Sequence, residues 1–484
     1  MRNLMKSTFE SFGLSEQIQR SIELLGYHQP TEVQSVLIES MIEGNDVVIQ
    51  SQTGSGKTAA FAIPICDTID FDQNKPQALI IAPTRELALQ IKEDVFHIGR
   101  FKRVKVSVLF GKFPYEVQVK ELKQKTHIVV GTPGRILDHI KRGTLDVSEL
   151  KYLIIDEADE MFKLGFLVEM NQIIKKLPVK RQTVLLSATI PDQIQDLISF
   201  AVRNPKFIKI DEESNVLDRI TQYKLSVVEP AKLRLTREIL MTLQPDSCMI
   251  FCNLKVTVDD IYDYFSDMKF PIQRLHGGME QNDRTQIIKA FKQGTFRFLV
   301  ATDVAARGLD IDQVSLIINF DIPLEAEIYV HRIGRTGRFD QKGKAITFVT
   351  SNQGRFLRNI EDFTNVSMET FVLPDKETLQ NEHAESARQI REKKIIKKVK
   401  GEQLNEGITA LQIRAGKQSK IRPTDIVGAI CSIENVSAED IGVINIGELF
   451  SDVEILNEKG GLVLEQLQKL PVKGKLRKVI KIKK

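Results

Sequence analysis

Tyr152-Leu153-Ile154-Ile155-Asp156-Glu157-Ala158-Asp159 is a short apolar run that stops on carboxylates. Such a run reads as a buried strand of a parallel sheet, with its chemistry at the carboxyl end. Upstream stands Ser51-Gln52-Thr53-Gly54-Ser55-Gly56-Lys57-Thr58. Its glycines leave backbone N–H groups free to surround phosphate, and Lys57 can neutralise the outer phosphates. Thr58 with Asp156 can hold a magnesium ion that bridges those phosphates, and Glu157 is then placed to orient or deprotonate the attacking water. A glycine-rich run ending in Lys-Thr recurs by chance, but its pairing with a strand that ends in acids is far more specific. Together the two segments describe an ATP-hydrolysing site.

The same grammar extends outward. Val47–Ile49, Ala78–Ala82, His127–Val130, Leu153–Ile155 and Val184–Leu186 are short apolar runs, each ending in a polar motif and followed by helical spacing such as Ile173, Ile174 and Leu177. That alternation predicts a parallel sheet covered on both faces. After the polar stretch Asp211–Asn215 the pattern restarts in Ser247–Cys252, Arg297–Ala301, Leu316–Ile318 and Ala345–Val349, this time without a phosphate loop. A cleft between two lobes is expected, one binding nucleotide and the other completing the site. Arg335 and Arg338 are the residues that would complete it, since guanidinium groups can stabilise charge on a transferred phosphoryl group.

At 484 residues the chain is too long for one core. Its net charge of +4 says little about nucleic acid, so the distribution of charge matters more. The basic excess lies at the C-terminus, where Lys469–Lys484 contains no acid. Four cysteines, Cys66, Cys248, Cys252 and Cys431, lack zinc-finger spacing, and no signal peptide or long apolar span is evident. A reduced, cytoplasmic protein without membrane contact is expected. Cys248 and Cys252 flank Met249-Ile250-Phe251 and are read as core rather than as half a metal site.

Residues 375–403 are charged, and the isoleucines and valine of Arg391–Lys400 suggest an amphipathic linker helix. Residues 404–484 form a third unit, with expected strands at 408–413, 441–446, 453–456 and 479–482 and helices at 424–433 and 462–467. This strand-helix-strand-strand-helix-strand order is that of ferredoxin-like domains, including RNA-recognition modules. Phe450 is its only aromatic residue, so a base-stacking sheet is poorly supported. Lys417, Lys420, Arg422, Lys473 and Lys475 offer basic loops instead.

Asp156-Glu157-Ala158-Asp159 is the tetrapeptide that names the DEAD-box RNA helicases, and the chain resembles that family motif by motif from about residue 9 to about residue 350. The resemblance implies an adenine-reading site made of Phe9, Tyr27 and Gln34. It implies RNA-backbone contacts from Pro83, Thr84, Arg85, Gly111, Thr132, Pro133, Gly134 and Arg135 in the first lobe. Gln281, Arg284, Thr302 and Asp303 are their counterparts in the second. Ser187-Ala188-Thr189 would couple hydrolysis to strand separation, Asp310 would contact the ribose, and His331 the acids of the first lobe. Lys112 departs from the Gly-Gly usual in the first lobe of that family, and Ser51 replaces the first glycine of the generic phosphate loop; neither threatens the assignment.

The third unit resembles the C-terminal domain of DbpA-type bacterial helicases, which recognises a hairpin near the peptidyl-transferase centre of 23S ribosomal RNA. The resemblance therefore implies an ATP- and magnesium-dependent RNA helicase acting on 23S rRNA in a large-subunit assembly intermediate, with no obligate protein partner. Its fold would be two RecA-like parallel-sheet domains (1–210 and 216–374), a linker (375–403) and a small RRM-like RNA-binding domain (404–484). An ATP-gated RNA clamp and a general RNA chaperone without ribosomal specificity are the alternatives.

Overall fold

A computed structural model describes residues 8–51, 56–210, 216–306, 311, 313–337, 342–373, 385–391 and 407–482. Its contacts divide the chain into two units, one joining Met1–Asp211 with Lys400–Lys484 and the other spanning Glu212–Val399.

The first lobe is a parallel sheet of β1 (Val47–Gln50), β2 (Ala78–Ile81), β3 (Val106–Leu109), β4 (Ile128–Gly131), β5 (Tyr152–Ile155), β6 (Gln182–Ser187) and β7 (Lys206–Lys209) in the order β3-β4-β2-β5-β6-β1-β7. Alternate residues of each strand enter different cores: Ile49, Ile80 and Val130 pack on one face, Val48, Leu79 and Val129 on the other. Both faces are thus apolar, which is why the central strands read as unbroken hydrophobic runs.

The second lobe repeats this plan. β8 (Ile220–Ser226), β9 (Cys248–Cys252), β10 (Ile272–Leu275), β11 (Phe298–Thr302), β12 (Leu316–Asn319), β13 (Gly343–Val349) and β14 (Glu369–Thr370) are ordered β10-β11-β9-β12-β13-β8-β14. Counted from its own first strand, this is the order of the first lobe. Cys248 and Cys252 are fully buried in it, and burial pushes both thiols up, as expected for core cysteines. Among the described residues no group of acids, histidines and cysteines could hold a metal by itself, and no helix is long and apolar enough to cross a membrane.

Of the charged linker, only residues 385–391 are described, and they are helical. Ile390 is buried in the second lobe's core and its carbonyl accepts a hydrogen bond from Arg297 at 3.3 Å. This part is therefore a packed helix of the lobe rather than a solvated spacer; the basic run 392–400 lies outside the described residues.

The third domain has the expected order: β15 (Thr409–Ile413), helix Pro423–Cys431, β16 (Ile441–Ile446), β17 (Ser451–Ile455), helix Gly460–Leu467 and β18 (Val479–Ile482). Its sheet is antiparallel, ordered β16-β17-β15-β18, with Leu411, Ile413, Val453, Ile455 and Val479 packed under the two helices.

Candidate active site

The catalytic motifs of the first lobe lie just beyond the ends of β1, β5 and β6. Residues 52–55 of the phosphate loop are outside the described set. Gly56 follows with φ +84°, a left-handed conformation suited to glycine, and caps the helix Lys57–Thr68 that carries Thr58 in its first turn. A Cβ on Gly56 would stand 2.6 Å from Gln34 Nε2, so a side chain there would displace the Gln34 amide. Lys57 is buried, and its Nζ donates to the Ser51 carbonyl at 3.0 Å.

Asp156 is buried at the end of β5, and its Oδ1 accepts from the Glu157 N–H at 3.0 Å. Burial raises its carboxyl pKa, while the Lys57 charge and the Glu157 N–H pull the other way. Glu157 occupies the left-handed region at φ +52°, uncommon for a residue with a side chain, and opens the helix Ala158–Lys163. Such backbone strain clusters at functional positions.

Asp159 was not singled out from sequence, yet it joins two motifs. Its Oδ2 accepts from both the N–H and the hydroxyl of Thr189 at 3.1 Å, and its own N–H donates to Ser187 Oγ at 3.2 Å. Ser187 in turn donates to the Thr189 carbonyl at 2.6 Å, while Gln50 donates to the Ala188 carbonyl at 3.3 Å. The strand ends of β1, β5 and β6 are thereby tied into one polar network.

Gln34 sits in a capping box: its Oε1 accepts from Thr31 N and its own N–H donates to Thr31 Oγ1. Its Nε2 reaches the Gly56 carbonyl at 3.3 Å, which links the segment expected to read adenine to the glycine before the helix Lys57–Thr68. Phe9 is buried, with its ring 6.3 Å from Tyr27.

The first-lobe residues expected to contact RNA backbone lie past β2, β3 and β4. Thr84 caps the helix Arg85–Ile98 by accepting from Leu87 N. Thr132 precedes the helix Pro133–Lys141, with Pro133 at its first position and space beside Gly134. Arg85 approaches Gly111, where a Cβ would lie 3.9 Å from its Nη2. Arg135 donates to the Phe113 carbonyl at 3.0 Å. Lys112 stands at φ +56°, where glycine is the unstrained residue, so the lysine adds charge at some conformational cost.

In the second lobe Gln281 and Arg284 lie one turn apart on the helix Gln281–Lys292 after β10, and Thr302 ends β11. β10 and β11 are the topological counterparts of β3 and β4, so Gln281, Arg284 and Thr302 stand at strand ends equivalent to those of Gly111 and Thr132. His331 and Arg335 are four residues apart, and both line a small hollow together with Asp303 and Arg332. Asp310 and Arg338 lie outside the described residues. His276 accepts from Gly278 N on Nδ1 and faces Asp259 with Nε2 at 3.2 Å, which fits a turn-holding role.

Sequence reasoning assigned no role to Arg332. Its guanidinium is almost fully buried and binds Asp303 through Nε at 2.5 Å and Nη2 at 2.7 Å. It also donates to Asn253 Oδ1 at 2.9 Å and to the Asp321 carbonyl at 2.7 Å. Asp303 is thus fixed by a bidentate ion pair.

The basic loops of the third domain meet. Lys417–Ser419 forms one helical turn, Lys420 and Lys473 both have positive φ, and Lys473 Nζ donates to the Lys420 carbonyl. Asp425 accepts from Arg422 N at 2.8 Å and lies 3.5 Å from Lys473, which anchors the pair of loops from beneath. Gly416 packs against the Gly447 carbonyl, 2.4 Å from where a Cβ would be, so the first loop has no room for a side chain there.

Three family models match in order: DEAD/DEAH box helicase over residues 31–197, helicase conserved C-terminal domain over 231–340, and DbpA RNA binding domain over 410–480. The chain is 48% identical over 478 residues to the ATP-dependent RNA helicase DbpA of Bacillus subtilis (strain 168), covering 99% of this chain and 100% of that protein. It is 40% identical over 399 residues to the DEAD-box ATP-dependent RNA helicase CshA of Geobacillus kaustophilus (strain HTA426), covering 82% and 85% of the two chains. Among solved structures, S. cerevisiae Dbp5 bound to RNA and ADP BeF3 is similar at a TM-score of 0.68 and 30% identity, over 80% of this chain and all of that one.

Proposed function

The chain belongs to the DEAD-box ATP-dependent RNA helicases and carries a DbpA RNA-binding domain, and from that we propose that it separates short RNA duplexes locally in 23S rRNA during assembly of the large ribosomal subunit. The observation that carries the targeting half of this reading is the joined pair of basic loops, Lys417–Arg422 with Lys473–Lys475, on a domain separate from the motifs that address RNA backbone. A sheet without aromatic residues supports recognition by those loops rather than by base stacking.

In this reading ATP and RNA close the two lobes. Phe9, Tyr27 and Gln34 hold the adenine, and Lys57 turns from the Ser51 carbonyl to the phosphates. Magnesium, when bound, would neutralise charge on the phosphates. Thr58 and the buried carboxylate of Asp156, beside the Lys57 charge, would hold that ion. Glu157 orients the attacking water, Arg335 and Arg338 stabilise charge on the transferred phosphoryl group, and Asp310 contacts the ribose. Arg85, Arg135, Thr302 and neighbouring backbone groups hold one RNA strand. The Asp159–Ser187–Thr189 network passes the state of the phosphates to the RNA-binding ends of the sheet. The proposed domain limits are 1–210, 216–374 and 404–484, in a cytoplasmic protein.

A chain ending at Gly401 is expected to keep ATP hydrolysis with generic RNA but to lose its preference for a 23S fragment that contains the hairpin. In the full chain, affinity for that fragment is expected to fall with salt at a log-log slope of roughly −0.7 to −0.9 per phosphate contact. Equal displacement of the ribosomal hairpin by an unrelated hairpin of the same length contradicts the targeting and leaves the helicase assignment standing.

A further inference from the structure

The open face of the third sheet, opposite its helices, carries Ala410, Gln412, Asp452, Glu454, Ile480 and Ile482, as the register of β15 with β17 and β18 requires. In RNA-recognition modules this is the face on which bases stack. Here its centre is a carboxylate, Glu454, only 1% exposed. Its partner is Arg100 of the first lobe, itself 2% exposed, with Nη2–Oε1 at 3.0 Å and Nε–Oε2 at 3.3 Å. A bidentate pair this deeply buried is stable only while both partners stay in place.

The surroundings fit the same contact. Gly442 of β16 lies over Glu454, and a Cβ there would stand 2.9 Å from Glu454 Cβ and 3.1 Å from Oε2, so the missing side chain makes room for the carboxylate. The first lobe presents the basic segment Arg100-Phe101-Lys102-Arg103-Val104-Lys105, which follows the helix Arg85–Ile98 and leads into edge strand β3. Arg103 donates to the Ala438 carbonyl and Lys105 to the Ile444 carbonyl at 2.5 Å. Arg20 adds a 3.0 Å bond to Asn457. Burial at this contact pushes the Lys105 amine down to about 8, with Lys125 adding to the shift. Ala438 and Asn457 lie at the end of the sheet away from the basic loops, because β15 runs antiparallel to β17. Lys420 and Lys473 stand at the opposite end.

We propose that the β16–β17 half of this open face is a protein-docking face, which latches the third domain onto the segment Arg100–Lys105 of the first lobe through Glu454 and so takes that half away from RNA. RNA reading is left to the loops at the far end, held in a fixed position on the lobe that hydrolyses ATP. The inference concerns the docking face alone and holds whichever RNA the loops prefer.

The test is hydrogen exchange on the full chain, read at peptides covering 100–105 and 441–446, with binding to a 23S hairpin fragment measured alongside. Arg100→Glu and Glu454→Arg each set like charges against one another and are expected to speed exchange at both segments by roughly a hundredfold, as for a buried charge left unpaired. Affinity for the fragment is expected to stay within about twofold, since no phosphate contact is removed. The double swap Arg100→Glu/Glu454→Arg is expected to restore protection. If Glu454→Arg unfolds the third domain, Arg100→Glu still reports, because that residue belongs to the first lobe. Unchanged exchange in both single variants overturns the latch. So does a loss of hairpin binding in Glu454→Gln with protection retained, which would make the face an RNA site.

Discussion

Replacing Glu157 by glutamine is expected to lower RNA-stimulated phosphate release by about 10²- to 10⁴-fold while ATP binding stays near that of the unaltered chain. The size follows from removing one positioned carboxylate from the hydrolytic step and nothing else. Glutamine has the same shape, so the left-handed turn at φ +52° and the bond from its N–H to Asp156 persist. Lys57 and Asp156, proposed to hold the nucleotide, are unchanged, and Asp159 keeps its bonds to Thr189. Lys57→Ala separates the two functions from the other side, because it weakens nucleotide binding itself. Phosphate release with nucleotide titration measures both, and full turnover by Glu157→Gln would remove the residue from its proposed role.

The second large effect is on stability. Arg332→Ala leaves Asp303 without its bidentate partner and the Asn253 and Asp321 acceptors without a donor. The second lobe is expected to lose roughly 3–5 kcal/mol, the usual consequence of breaking a buried pair on one side. Arg332→Lys keeps the charge, but one ammonium cannot span acceptors on Asp303, Asn253, Asn319 and Asp321 arranged for a planar fork, so only part of the loss returns. Denaturant titration, followed by hydrogen exchange at β9, β11 and β12, measures this. Stability equal to that of the unaltered chain in the alanine variant would show that the ion pair contributes nothing.

Arg332 also marks where sequence reading stops. Three arginines stand within eight residues in His331–Arg338, and charge alone cannot say which one turns inward. Only β12 and its neighbours, by bringing Asn253, Asp303 and Asp321 to one point, decide it. The central strands are legible because burial on both faces makes them continuously apolar: β1, β2, β4, β5 and β6 in one lobe, β9, β11, β12 and β13 in the other. The strands that escaped notice are those at or next to sheet edges. β7 interleaves Phe207 and Ile208 with Lys206 and Lys209, β10 carries Gln273 and Arg274, and β8 alternates apolar with polar residues. β3, also an edge, hides Ser107 in its run, bonded to Thr126 at 3.0 Å. The third domain was read almost residue by residue, because local alternation and turn residues specify so small a sheet. Its seat on the first lobe was not, since Arg100 and Glu454 are 354 positions apart and each alone looks like a surface charge.

ATP turnover in the two lobes is proposed to be directed to ribosomal RNA by the third domain. The most direct test is displacement of a short RNA strand by the full chain, from a duplex extended by the 23S hairpin and from one extended by an unrelated hairpin of equal length. The expected result is ATP-dependent displacement, abolished by Glu157→Gln and faster at low enzyme concentration on the ribosomal substrate. Equal rates on the two substrates, or displacement that persists without ATP hydrolysis over repeated turnovers, would contradict it.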